Sequence, residues 1–259
     1  MNFLLRALTS LVYVSLLLGS LFVHATFFSA VLYLMTLIAV WELQNISKKK
    51  TVLVYFVFAL LFFSIHYYPK LSSSLLFISL FGNFLLLIAF WQKKNIALSQ
   101  GKIYFLGIVH ISLPLVLLAV FAKHHAVLVA LFFCIIWLND AAAFLIGSSM
   151  GKTPLAKSIS PNKTYEGFVG GVLLASIATV FVGTQCTELS YYSLFSIAVI
   201  TAITASIGDL IQSKVKRICN VKDSGRILPG HGGVYDRIDS TLFAIPVFLG
   251  MLYLFLYVS

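Results

Sequence analysis

The chain has 259 residues, of which 60% are hydrophobic and 10% are charged, and its net charge is +10. Ordinary soluble domains carry about 25% charged residues, so this composition indicates an integral membrane protein. The basic residues are spread over five separate segments instead of one domain, which argues against nucleic acid as a partner.

The apolar runs predict an all-α polytopic membrane protein with about nine transmembrane helices. A span needs about 20 apolar residues, and residues 7–41, which lack Lys, Arg, Asp and Glu, are long enough for two. Strands are not expected, because the runs lack the alternating pattern of a membrane barrel. In chain order the predicted helices cover 4–22, 26–44, 51–68, 71–91, 103–121, 125–147, 167–184, 190–211 and 240–258.

The basic residues also predict the orientation. If the N-terminus is cytosolic, sixteen of the 18 Lys and Arg residues fall in cytoplasmic segments, with Lys70 and Lys123 as the exceptions. The positive-inside rule describes this bias. We therefore expect a multi-pass protein of the cell inner (plasma) membrane, with its N-terminus in the cytosol and its C-terminus outside.

We expect a single membrane domain, 1–259, whose two parts differ in their content of polar residues. Residues 1–130 look like lipid-facing helices without motifs, and residues 137–240 form the expected catalytic region. In the first part, Glu42 precedes the basic cluster Lys48–Lys50. We interpret it as one side of an interfacial salt bridge.

Two motifs open the second part. Asp140 stands in an apolar run, where an ionisable side chain costs about 2.5–3.5 kcal/mol and marks a functional site by default. The alternative is a helix-end carboxylate paired with a lysine. Ser160 and Pro161 fit the cap and first residue of a helix, and Lys163 and Thr164 beside that terminus would suit a phosphate. The alternative is an ordinary capping loop.

A third motif ends the span that begins near residue 190. If the helix continues, Asp209, Ser213 and Lys216 share one face, because residues three and four apart are neighbours on a helix. The alternative is a solvated aspartate at a helix end.

The segment 213–239 holds six basic residues and three aspartates between two apolar runs. Such a grouping is typical of a site that binds a polyanion together with a divalent cation. The glycines of 230–233 predict a tight turn. Asp236 and Asp239 lie three residues apart at the start of the last span, where carboxylates are favourable. A solvated charged loop, the alternative, would not need this glycine content.

This segment resembles the signature of the CDP-diacylglycerol synthase, or phosphatidate cytidylyltransferase, family. The matching positions are Ser213, Lys216-Arg217, Lys222-Asp223, His231-Gly232-Gly233 and Asp236-Arg237-Ile238-Asp239. The stretch 160–167 is similar to the family's second motif. One departure stands near Gly147-Ser148, where the family usually has an arginine; Lys152 or Lys157 is a candidate to supply that charge.

The resemblance implies that CTP and phosphatidate give CDP-diacylglycerol and pyrophosphate, with phosphatidate taken from the inner leaflet and Mg²⁺ as cofactor. A phosphate monoester is largely ionised at pH 7, so a strong general base is not needed. The expected catalytic residues are Asp209, Asp236, Lys222, Asp223, Arg237 and His231; the substrate-binding residues are Lys163, Thr164, Ser160, Ser213, Lys216, Arg217, Gly232, Gly233 and Asp140; the metal ligands are Asp209, Asp236 and Asp239.

Three other functions stay open from the residues alone. They are a CTP- or ATP-dependent polyprenol or lipid-alcohol kinase, a transporter with a cytosolic anion site, and a structural membrane anchor. The sequence also leaves open a second cation, the acyl-chain preference and a homodimer. Membrane lipids are expected partners in every case.

Overall fold

The computed structural model describes residues 3–68, 70–91, 98–228, 230 and 232–257, so the predicted site residue His231 lies outside the described part of the chain. Helices dominate it. They are α1 (Phe3–Val23), α2 (Ala25–Ser47), α3 (Leu53–Tyr67), α4 (Leu71–Trp91), α5 (Gln100–Phe105), α6 (Leu113–Ala122), α7 (Ala126–Met150), α8 (Tyr165–Cys186), α9 (Tyr191–Ile218) and α10 (Asp239–Tyr257). A π-helical turn, Leu106–Ser112, joins α5 to α6, so that Gln100–Ala122 forms one rod.

The all-α polytopic prediction is confirmed. Each predicted span coincides with one of these helices, with α5 and α6 counted as one. In the described residues, seven helices are long and apolar enough to cross a membrane. The apolar parts of α1 and α3, Leu8–Val23 and Leu53–Ile65, are shorter. The total of nine spans therefore stays a prediction.

The helices α7, α8 and α9 pack closely, and α9 packs in turn on α10. Small residues make the α7–α8 contact possible. A Cβ atom at Gly171 would lie 2.8 Å from the carbonyl oxygen of Asn139, and one at Gly167 would lie 2.6 Å from that of Ala143. Glycine allows two helix backbones to approach in this way within a membrane. The packing brings the adjoining ends of the four helices together.

The connection between α7 and α8 corrects one prediction. Ser160 and Pro161 do not start a helix but lie in strand β2 (Ser160–Thr164), which pairs antiparallel with β1 (Pro154–Ala156). The helix begins at Tyr165, where the Thr164 hydroxyl accepts a hydrogen bond from Gly167 N at 3.1 Å. Thr164 thus provides the cap that was assigned to Ser160, because Ser160 is committed to strand pairing.

A second contact fixes this hairpin to the helix. Both carboxylate oxygens of Glu166, in the first turn of α8, lie 3.2 Å from the backbone N–H of Thr153. A carboxylate is favourable at a helix N-terminus. The hairpin is therefore held over the end of the helix bundle by residues of its own local sequence.

Candidate active site

A cavity of about 690 Å³ opens at this end of the bundle, between α7, the hairpin, α8, α9 and the start of α10. Its volume lies in the range of about 300–1,000 Å³ that is usual for ligand sites. Its walls combine carboxylates, cations and hydroxyls with aromatic and aliphatic side chains. The lining residues are Asp140, Ala143, Phe144, Gly147, Ser148, Leu155, Ser160, Asn162, Lys163, Thr164, Phe168, Ser206, Asp209, Asp236, Arg237 and Asp239.

Four aspartates from distant parts of the sequence meet here. Asp140 comes from α7, Asp209 from α9, Asp236 from a 3₁₀ turn (Tyr235–Arg237), and Asp239 from the first residue of α10. Asp140, Asp209 and Asp239 are close enough for their charges to repel one another. Such a cluster needs positive charge nearby, from side chains or from a bound cation.

Lysines neutralise two of these aspartates. Lys163 pairs with Asp209 through the Oδ2 atom, and Ser213 donates to the other oxygen, Oδ1, at 3.3 Å. Asp209 and Ser213 do share one helix face, as their spacing predicted. Lys216, one turn further along α9, donates instead to Asp236 Oδ1 at 2.8 Å. Two of the three lysines predicted to contact phosphate, Lys163 and Lys216, are therefore paired with carboxylates.

Asp236 is the most completely bonded carboxylate of the cluster, and only 5% of its side chain is exposed. Its Oδ2 atom accepts hydrogen bonds from Ser224 N at 2.7 Å and Gly233 N at 3.0 Å, and it lies 2.9 Å from Ser224 Oγ. Burial alone raises the pKa of Asp236. The hydrogen bonds from Lys216 and from the backbone N–H groups outweigh burial and hold this pKa below its ordinary value.

Glu42 corrects a second prediction. It does not form a salt bridge with Lys48–Lys50 but is fully buried against the loop before α10. Its Oε1 atom accepts from Val234 N at 3.1 Å, and its Oε2 atom accepts from Tyr235 N at 2.8 Å. The reason is tertiary: α2 packs on the 3₁₀ turn, whose backbone donors would otherwise be buried without partners.

A serine joins Glu42 to the aspartate cluster. Ser224 Oγ lies 2.9 Å from Glu42 Oε2 and 2.9 Å from Asp236 Oδ2. A hydroxyl has one proton to donate, so Ser224 bonds one carboxylate at a time. Glu42, Ser224 and Asp236 together form a buried polar network, which we call the loop anchor.

The loop itself has the tight turn that its glycines predicted. Gly230 and Gly232 have φ angles of 82° and 83°, in the region that favours glycine, and Leu228 N donates to Gly232 O at 3.0 Å. At Gly233, any Cβ atom would collide with the Glu42 carboxylate and the Ser224 hydroxyl. Gly232 and Gly233 thus shape the backbone around the loop anchor.

Several predicted site residues lie apart from the cavity lining. Lys222 and Asp223 are exposed. Arg217 donates to the carbonyl oxygens of Val221 at 2.9 Å and Ile159 at 3.4 Å, so it ties the loop to the hairpin. Lys152 and Lys157, the candidates to supply the missing family arginine, are exposed and do not belong to the lining either.

The sequence reasoning missed Glu42 and Ser224. A usable signal existed for Glu42, because it ends a charge-free run that begins at residue 7. The rule that marks an ionisable residue within a span as functional applies to it as it does to Asp140. Nothing local marks Ser224, whose partners lie 12 and 182 residues away.

The carboxylates of the cavity meet the needs of a magnesium ion only in part. Among the described residues, no three His, Cys, Asp or Glu side chains are placed to hold a metal ion together. Mg²⁺ is usually held by one or two carboxylates plus phosphates and waters, so two aspartates with a bound triphosphate would fit it. Asp209 and Asp239 suit this role best. A cation at Asp209 would share that carboxylate with Lys163 and Ser213. At Asp236, the third predicted ligand, it would compete with Lys216, Ser224 and Gly233.

This helical membrane protein has a polar cavity at its helix ends, which is lined by clustered carboxylates and flanking cations. Such a cavity is typical of a membrane-embedded enzyme of phosphate chemistry. Comparison with known proteins makes the class specific. The sequence profile of the cytidylyltransferase family matches residues 4–255, and the chain belongs to that family. It is therefore a nucleotidyltransferase, and the resemblance inferred from the signature is confirmed.

Similar proteins carry the name phosphatidate cytidylyltransferase. One from Staphylococcus haemolyticus is 32% identical over 254 residues, which is 93% of this chain and 96% of that protein. One from Bacillus subtilis is 45% identical over 122 residues, 47% of this chain and 45% of that protein. One from Staphylococcus aureus strain COL is 44% identical over 119 residues, 44% of this chain and 45% of that protein. The latter two alignments span less than half of each relative.

Proposed function

We propose that the chain transfers the cytidylyl group of CTP to phosphatidate, which gives CDP-diacylglycerol and pyrophosphate for phospholipid synthesis. The observation that carries the proposal is the cavity at the helix ends, where Asp140, Asp209 and Asp239 meet Lys163 and Arg237. The names of the similar proteins support the same reaction.

The chemistry follows from the charges. An ionised oxygen of the lipid phosphate attacks the α-phosphorus of CTP, the bond to the β-phosphate oxygen breaks, and pyrophosphate leaves with that electron pair. The phosphate oxygen is already deprotonated at neutral pH, so the chain must position two anions and neutralise them. Arg237 is the cation best placed to contact phosphate, because Lys163 and Lys216 are paired with carboxylates.

Mg²⁺ is part of the proposal, held by Asp209 and Asp239 together with phosphate oxygens. When bound, it would neutralise the developing charge on the leaving pyrophosphate. Around it, Lys163 holds Asp209 in place and Ser213 bonds the second oxygen of the same carboxylate. The loop anchor fixes the backbone segment that carries Arg237 and Asp239.

The proposal includes a location. The chain is a multi-pass membrane protein, and we place the cavity at the cytosolic face of the cell inner membrane, with the N-terminus inside and the C-terminus outside. The positive-inside rule supports this orientation. CTP does not cross membranes, so a cytosolic cavity gives it access.

The experiment uses CTP labelled with ³²P at either the α- or the γ-phosphate. Purified protein in detergent is incubated with one of these, Mg²⁺ and phosphatidate, and the lipid is extracted. Cytidylyl transfer should label the lipid only from α-labelled CTP. A lipid kinase, the main alternative, would label lipid only from the γ-position and would need an alcohol instead of phosphatidate.

A pair of variants controls this assay. Asp209→Asn should lose the labelled lipid, whereas Glu188→Gln, an exposed carboxylate in the loop between α8 and α9, should keep it. Absence of labelled lipid from the folded wild-type protein with Mg²⁺ and both substrates would refute the proposed reaction.

A further inference from the structure

A second, smaller cavity of about 260 Å³ lies behind the first, between α1, α7 and the loop. It has three hydroxyls from α1 and one from α10, together with apolar side chains from α1, α7 and the loop. The lining residues are Thr9, Ser10, Tyr13, Val14, Ile136, Trp137, Asp140, Leu228, Asp236, Arg237, Asp239 and Ser240. This volume is below the range typical of drug-sized ligands and suits a headgroup better than a nucleotide.

Tyr13 fixes the position of α1 beside the smaller cavity. The Tyr13 hydroxyl donates to the carbonyl oxygen of Arg237 at 3.3 Å. The Tyr13 ring packs edge-on against Trp137, with 6.5 Å between the ring centroids. Elsewhere α1 packs mainly on α2 and touches α7 only sparsely. The helix is thus clamped at the loop but leaves a crevice along α7.

The two cavities share a wall. Asp140, Asp236, Arg237 and Asp239 line both of them. A transfer between two substrates requires their reacting atoms to meet at about 3–3.5 Å. Two adjoining cavities with a common charged wall satisfy this requirement if each holds one substrate.

We infer that the smaller cavity holds the glycerol-phosphate headgroup of the lipid substrate, while the larger cavity holds the nucleotide. The inference rests on the proposed function and assigns its two substrates to separate subsites. Arg237 contacts the headgroup phosphate at the shared wall, and Thr9 and Ser10 of α1 line the cavity beside the headgroup. The Tyr13 hydroxyl keeps its hydrogen bond to the Arg237 carbonyl oxygen. The acyl chains leave through the crevice between α1 and α7, past the exposed Leu11 of α1.

The size and polarity of the cavities decide which substrate each cavity holds. A nucleoside triphosphate needs the larger volume and many polar partners, which the hairpin and α9 supply. A lipid headgroup needs polar partners next to an apolar exit, and the partly exposed Val14 and Trp137 supply that exit. In this arrangement the lipid phosphate contacts Arg237 from the smaller cavity, and the α-phosphate of CTP contacts the same residue from the larger cavity.

Site-specific thiol protection tests the assignment without turnover. Ser10→Cys places a thiol in the smaller cavity and Ser148→Cys places one in the larger. Each variant is alkylated with N-ethylmaleimide in the presence of Mg²⁺ and one ligand only: dihexanoyl phosphatidate, CTP or inorganic phosphate. Mass spectrometry reads the alkylation of the new cysteine separately from the native Cys134, Cys186 and Cys219.

A ligand at about ten times its Kd should slow alkylation of its own subsite about tenfold. Ser10→Cys should be protected by dihexanoyl phosphatidate and by neither CTP nor inorganic phosphate, and Ser148→Cys by CTP alone. Leu8→Cys and Ser149→Cys, exposed neighbours outside both linings, should react equally under all conditions.

Protection of Ser10→Cys by CTP, its protection by inorganic phosphate, or no protection by any ligand would overturn the subsite assignment. The wild-type transfer assay is read separately. Labelled lipid together with the wrong protection pattern would refute only the subsites, whereas absence of labelled lipid would refute the proposed function itself.

Discussion

Glu42→Gln is the most informative single change in this protein, because it alters the loop anchor at a residue that lines neither cavity. The carboxylate accepts hydrogen bonds from Val234 N and Tyr235 N on its two oxygens and contacts the Ser224 hydroxyl. An amide keeps the shape but has one oxygen. Its NH₂ group would face one of the two backbone N–H groups, donor against donor.

The magnitude follows from these contacts. Hydrogen bonds to charged groups contribute about 1.5–3 kcal/mol each, and a buried donor without a partner costs about 1–3 kcal/mol. We therefore expect the ordered loop to be destabilised by about 2–3 kcal/mol, which lowers the ratio of ordered to disordered loop about 30- to 150-fold, since 1.4 kcal/mol is a factor of ten. Activity should fall by up to the same factor, because only the ordered loop is competent. The loss should fall on kcat, because Glu42 belongs to neither cavity lining.

The assay is cytidylyl transfer with CTP and phosphatidate varied separately, together with the melting temperature of the purified protein. Glu188→Gln is the matched control and should behave as wild type. The double variant Glu42→Gln/Ser224→Ala should lose less than the two single variants combined, because both residues act through one network. Turnover of Glu42→Gln within about twofold of wild type, in folded protein, would refute the loop anchor as a positioning device.

Four further outcomes are expected. Chelation of divalent cations and Asp209→Asn should each abolish transfer, and added Mg²⁺ should restore the chelated wild type; full activity in chelator would exclude the metal. Arg237→Ala should lower kcat/KM about tenfold or more, as expected for a charge-assisted phosphate contact; an unchanged value would remove it from the site. The folded-state pKa of Asp236 is depressed, so its charge stabilises the fold above about pH 4, the ordinary aspartate pKa. This stabilisation is lost as the pH falls through the lower folded-state pKa. Melting curves of Asp236→Asn should lack this acid-dependent loss of stability. With the exposed native Cys186 replaced by alanine, an impermeant thiol reagent should label Glu188→Cys in intact cells, whereas Ser158→Cys should react only after the cytosolic face is opened; the reverse pattern would invert the topology.

The local parts of the site could be predicted from the sequence. Asp209 and Ser213 meet because residues four apart share a helix face, and the glycines at 230 and 232 adopt positive φ angles because few other residues can. The hydrophobic runs likewise indicate where each helix lies. In these cases the physical cause acts within a few residues of the chain.

The remainder depends on contacts that no local pattern contains. The partners of Glu42 lie 182 to 193 residues further along the chain, and its proximity to Lys48–Lys50 suggested a different bond. Ser160 and Pro161 have the chemistry of a helix start, but pairing with β1 prevails. Lys163 and Lys216 were assigned to phosphate because a sequence shows charge, not which carboxylate neutralises it.

The position of Glu42 also bears on how the protein is made. During synthesis, α2 enters the membrane long before the loop that satisfies its carboxylate exists, since some 180 residues separate them. An unpaired carboxylate within a span costs about 2.5–3.5 kcal/mol, so the early helices carry an unsatisfied charge until the last part of the chain arrives. Closure of the loop onto α2 therefore couples completion of the active site to completion of the membrane bundle, and a chain truncated before Ser224 should be degraded instead of accumulating as a stable fragment.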